Sequence, residues 1–72
     1  MTEKKGLTPK QHRLKLFIKV FTEEHGYAPS YSEMAEHMNV KSIGNMTALL
    51  RRMHEKGHVA YSYGGIRQVR VL

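Results

Sequence analysis

The 72-residue chain contains no cysteine and no tryptophan. Without cysteine there is no disulfide framework and no thiolate metal site, which suits a reducing compartment. No apolar run approaches the roughly 18 residues that a membrane span needs, and the N-terminus has no signal-peptide apolar core. Internal repeats, low-complexity tracts and linkers are also missing, so the chain is one domain at most. A core this thin supports a folding stability of only about 3–5 kcal/mol. Nothing pairs a nucleophile with a base and an orienting group, and there is no Gly-rich phosphate loop. The chain is therefore read as no enzyme, with no cofactor and no small-molecule substrate. Five histidines raise the question of a metal. His54 and His58 are four apart, but Gly57 interrupts the helix between them. His12, His25 and His37 share no spacing, so no metal site is assigned.

Acidic side chains are scarce as well: 6 Asp+Glu face 12 Lys+Arg, for a net charge of +6. A basic balance in a small domain is the footprint of a polyanion binder, and solubility alone is the plainer reading. Met1 to Gly6 (1–6) reads as a flexible N-terminal arm and 7–72 as the domain. In that domain Thr8 caps a first helix, Pro9 fits its first position, and Gln11 completes a T-x-x-Q capping box. Leu14, Phe17, Ile18 and Phe21 form an apolar stripe at helical spacing, and Gly26 ends the helix. Ser30 and Glu33 make a second capping box, opening a short helix through Met34, Ala35 and Met38. A third helix begins near Ser42, with Met46, Leu49, Leu50 and Met53 as its stripe. Lys56 and Gly57 close it. The methionines at these spacings read as core filler. Beyond Gly57 the period changes to two. Val59 and Tyr61 alternate with Ala60 and Ser62, Tyr63-Gly64-Gly65 is a hairpin turn signal, and Val69 and Val71 alternate with Gln68, Arg70 and Leu72 after it. The fold class expected is mainly α with a small β-hairpin: a winged helix-turn-helix of three helices plus a β wing.

Between the second and third helices stands Asn39. A steep corner needs a residue in the left-handed region, where asparagine is next best to glycine. Ala35 permits close approach and Val40 anchors the corner. A short helix, a tight turn and a longer helix make a helix-turn-helix unit. An ordinary corner in a small bundle fits the same residues. The outward face of the third helix adds Gly44, Asn45, Thr47, Ala48, Arg51, Arg52 and Glu55. Its first half is small and hydrogen-bonding, as a helix entering a major groove requires. Ser42, Asn45 and Thr47 are the candidates for base edges. Arg51 and Arg52 suit the DNA backbone, and Lys41 with Ser42 at the helix N-terminus suits a phosphate. Gly44 is a weak helix former, which argues for close approach of a partner. Tyr63, Gly64 and Arg67 at the hairpin tip suit a backbone or minor-groove contact. A hairpin that only closes a sheet would look similar.

From Leu7 to Leu72 the chain resembles the N-terminal DNA-binding domain of LexA-type SOS repressors. The residues that carry the likeness are "LTPKQ", "EEHGYAPSYSEMAEHMNV", the "KS" before the third helix, "EKGHVAY" and the closing "IRQVRVL". The resemblance implies sequence-specific binding to double-stranded DNA at an operator, repression of transcription, and residence in the bacterial cytoplasm, on the nucleoid when bound. It carries over Ser42. The family's third helix begins Ser-Pro-Asn and presents two acidic residues outward. Here the stretch is Ser42-Ile43-Gly44, and Thr47 and Ala48 stand at the acidic positions, so operator preference does not transfer. Asn39 replaces the family's usual glycine. The family's self-cleaving C-terminal half, which holds its main dimer contacts, is not among these 72 residues. The expectation is a domain taken from a longer repressor or a small regulator of phage or mobile-element type.

Leu16 and Val20 lie on the first helix away from its stripe. They are either scattered surface apolars or a contact surface for a second copy or a protein partner. The second reading supports a rival function, a small winged-helix factor that engages a host protein.

Overall fold

Thr8 sets the start of the first helix. Its backbone is extended, its Oγ1 accepts from the Gln11 N–H at 3.2 Å, and Gln11 Oε1 accepts from the Thr8 N–H at 3.1 Å. This reciprocal box and Pro9 satisfy donors that the first turn leaves open. In the computed structural model, which describes residues 6–61 and 69–72, helix α1 runs Pro9–His25. It ends where Gly26 takes φ 78° and its N–H reaches the Thr22 carbonyl. Helix α2, Tyr31–Met38, opens on the Ser30/Glu33 box, also formed in both directions. Helix α3, Ile43–Glu55, is capped by the Ser42 hydroxyl, which accepts from the Asn45 N–H. At its far end Gly57 sits at φ 86°. The Gly57 N–H then bonds the His54 carbonyl and the His58 N–H bonds the Met53 carbonyl. That pairing is a Schellman stop.

The core takes Leu14 and Ile18 from α1, Met34, Ala35 and Met38 from α2, and Met46, Leu50 and Met53 from α3. Val59 and Val69 close it from the sheet side. Met34, Met46 and Met53 are fully buried, each burial stabilising by about 1.5–3 kcal/mol. The expected stripes hold with three adjustments. Phe17, Phe21 and Leu49 are half-buried. Phe17 instead stacks on His37 at 4.1 Å, and Phe21 lies 4.1 Å from the His25 ring. Gln11, the capping residue, is buried to 4 % exposure.

Strands β1, Val59–Ala60, and β2, Arg70–Val71, pair antiparallel with Val59 opposite Val71 and Ala60 opposite Arg70. The ladder is extended by the Leu72 N–H to the His58 carbonyl. β1 packs on α3 and β2 on α1. The pair therefore closes the side of the core that the helices leave open. Lys15 Nζ meets His58 Nδ1 at 3.0 Å across the same seam. Three helices followed by a small antiparallel sheet give a winged helix-turn-helix.

Candidate nucleic-acid interface

The angle between α2 and α3 is set at Asn39, the one non-glycine residue with positive φ among those described (φ 55°, ψ 42°). Its N–H bonds the Glu36 carbonyl, and the Val40 N–H bonds the Ala35 carbonyl at 2.8 Å. This is again a Schellman stop, with Val40 packed against the core. Only Lys41 and Ser42 separate Val40 from α3. The corner thus holds α2 against α3 and leaves the opposite face of α3 in solvent.

On that face Lys41, Ser42, Gly44, Asn45, Arg51 and Arg52 are exposed, while Thr47 and Ala48 are half-buried. Their polar groups differ in what is left to offer. The Ser42 hydroxyl oxygen already accepts the Asn45 N–H, which leaves its O–H donor and one lone pair. The Thr47 hydroxyl donates to the Ile43 carbonyl at 2.9 Å, leaving an acceptor and a methyl. The Asn45 carboxamide makes no hydrogen bond among the described residues. It keeps N–H donors and a carbonyl acceptor side by side on one planar group, the pair that an adenine edge takes. Lys41, Arg51 and Arg52 form no ion pair among the described residues, so their charges are not neutralised within them. A Cβ at Gly44 would meet nothing within 4 Å. The glycine costs α3 about 1 kcal/mol with no packing reason among the described residues.

Two grooves flank the face, and Ala48 lines both. One, about 310 Å³, runs past Gly44, Thr47 and Arg51. The other, about 530 Å³, lies between α3, the corner and the start of α1. Its walls include Lys10, Gln11, Asn39, Lys41, Asn45 and Arg52. The helix-borne candidates therefore come together on one surface. Tyr63, Gly64 and Arg67 lie outside the described residues. The α1 wall of the larger groove was not legible as a site. Lys10 and Gln11 read as a helix start, and the 45-position separation of Gln11 and Lys56 conceals the 2.7 Å bond from Lys56 Nζ to Gln11 Oε1. Among the described residues no group of three or more His, Asp or Glu is placed to hold a metal. No helix there is long and apolar enough to cross a membrane.

Comparison with known proteins gives a family model, described as the LexA DNA binding domain, that matches residues 4–68. Among curated proteins, the LexA repressor of Koribacter versatilis is 33% identical over 67 residues, covering 93% of this chain and 32% of that protein. The LexA repressor of Novosphingobium aromaticivorans is 35% identical over 66 residues, 92% of this chain and 28% of its own length. That of Thermotoga petrophila is 34% identical over 67 residues, with 93% and 34% covered. The chain thus spans about a third of the length of these relatives.

Proposed function

Because this chain belongs to the LexA DNA-binding domain family, we propose that it binds a specific site on double-stranded DNA and represses transcription there. The observation that carries the reading is the Asn45 carboxamide on the exposed face of α3, unbonded among the described residues, beside Arg51, Arg52 and Lys41, which form no ion pair among them. α3 enters the major groove by its N-terminal half. Asn45 reads a base edge, Ser42 and Thr47 assist from the first turns, and Ala48 and Gly44 allow close approach. Arg51, Arg52 and Lys41 grip phosphates, and Tyr63, Gly64 and Arg67 add a contact from the wing. The family name supports DNA and repression; the face of α3 supports where recognition occurs. Thr47 and Ala48 replace the acidic residues of the family pattern, so the preferred site differs from that of its relatives.

Selection of bound sequences from a random duplex pool tests this. A recurrent motif, bound with an affinity that falls steeply as salt rises, is the expected result. Recovery of unenriched sequences at every salt concentration would remove the sequence-specific reading.

A second reading rests on α1. Leu16 is 55% and Val20 41% exposed, one turn apart on the face opposite the core. They provide a contact for a protein partner or a second copy. A chain that works only through this face would yield no duplex motif in the selection and would lose its partner on Leu16→Glu.

A further inference from the structure

The groove between α1 and α3 contains a buried polar side chain whose amide donors have no partner among the described residues. Gln11 is 4% exposed. Two donors, the Thr8 N–H at 3.1 Å and the Lys56 ammonium at 2.7 Å, converge on one atom of its amide. That atom must be the carbonyl oxygen, so the amide orientation is fixed by chemistry. The amide nitrogen then carries two N–H donors, and neither has a partner among the described residues. Gln11 lines the large groove with Lys10, Lys41, Asn45 and Arg52, and lines its extension toward Glu55 and Lys56. Three cations thus surround the large groove, and among the described residues Glu55 is the one acidic side chain beside it, in the extension.

We propose that this groove seats a backbone phosphate of the duplex, with the Gln11 amide N–H groups as its central donors and Lys10, Lys41 and Arg52 around it. This rests on the duplex-binding reading and adds α1 to the interface. Asn45 and Arg52 line both the groove and the recognition face, so a strand lying along α3 reaches the groove without leaving the helix. The Lys56 bond gives Gln11 a brace from the C-terminal end of α3. One phosphate is thereby fixed against both ends of the helix that reads the bases. Fixing a phosphate in this way sets the register of the recognition helix on the duplex.

The test uses Gln11→Glu and Lys10→Gln. A glutamate keeps the acceptor for the Thr8 N–H and pairs with Lys56, so the melting temperature holds or rises. It replaces the N–H donors with an anion, so affinity for the selected duplex falls about tenfold or more. A scan of single uncharged methylphosphonate positions locates the phosphate. One position weakens the wild-type complex, weakens the Lys10→Gln complex less, and does not weaken the Gln11→Glu complex. Lys10→Gln, an exposed change, carries the test should Gln11→Glu fold poorly. If both variants bind as wild type and the scan is unchanged, Gln11 is only a cap and brace, and the phosphate site is wrong while duplex binding stands. If the wild type binds no duplex at all, the duplex reading falls first and takes the site with it.

Discussion

Replacing Asn39 tests the part of the structure that orients the recognition helix. Asn39 holds φ 55° and ψ 42°, a region that costs an ordinary L-residue roughly 1–2 kcal/mol. Glycine avoids that cost but gains freedom in the unfolded chain worth about 0.4–1 kcal/mol. The two effects nearly cancel for Asn39→Gly, which should melt within a few degrees of the parent. Valine adds a branched Cβ at the same dihedral angles, so Asn39→Val carries the full penalty. In a domain of this size each kcal/mol moves the melting temperature by about 4–8 °C. Asn39→Val should therefore melt roughly 4–16 °C below the parent, by circular dichroism at 222 nm. Against a total stability of about 3–5 kcal/mol, that loss leaves a measurable unfolded fraction near 37 °C. Asn39 is exposed, so the loss cannot come from a disturbed core. Equal melting temperatures for the glycine and valine variants would refute the reasoning and place the strain of the corner elsewhere.

Gly44→Ala should stabilise the chain by about 0.5–1 kcal/mol, because the added methyl meets nothing within 4 Å. If Gly44 serves close approach, the same variant binds the selected duplex more weakly; a gain in both stability and affinity would contradict that role. Arg67→Ala should weaken binding on every sequence and flatten the salt dependence by about one unit of slope. Unchanged affinity and slope would leave the wing without a DNA contact. Leu16 and Val20 form a patch well below a standard interface of about 800 Å² per partner. Sedimentation at micromolar concentration should accordingly give the mass of a single chain. A stable dimer would oppose this, and its loss on Leu16→Glu would place the interface on α1.

The elements were legible because each boundary has a local chemical cause. Thr8 and Ser30 cap where the sequence placed caps, the third helix starts at Ser42 as expected, and Asn39 turns where a left-handed residue was needed. The methionine stripe was legible for the same reason, since helical periodicity alone assigns Met34, Met46 and Met53 to the interior. Phe17 and Phe21 were harder to place. Periodicity does not reveal that His37 and His25 would offer them ring partners at the edge of the core. On the candidate interface, exposure of Asn45 follows from its position relative to Met46. The states of its neighbours do not. The Thr47 hydroxyl is turned back to Ile43 by a rotamer choice, and pattern says nothing of rotamers. Gln11 shows the limit most clearly. A capping box explains its identity in full, so nothing in the chain signals that a lysine 45 positions later completes a second environment for it.

The central claim is that the exposed face of α3 reads bases, with Asn45 as the residue most free to do so. It is tested most directly by measuring the affinity of Asn45→Ala for the selected duplex and for a scrambled duplex of equal length, at one salt concentration. The selected site should lose about 1–3 kcal/mol of binding, while the scrambled duplex, held by phosphate contacts alone, should bind as before. An equal loss on both duplexes, or none on either, would contradict base reading by this face.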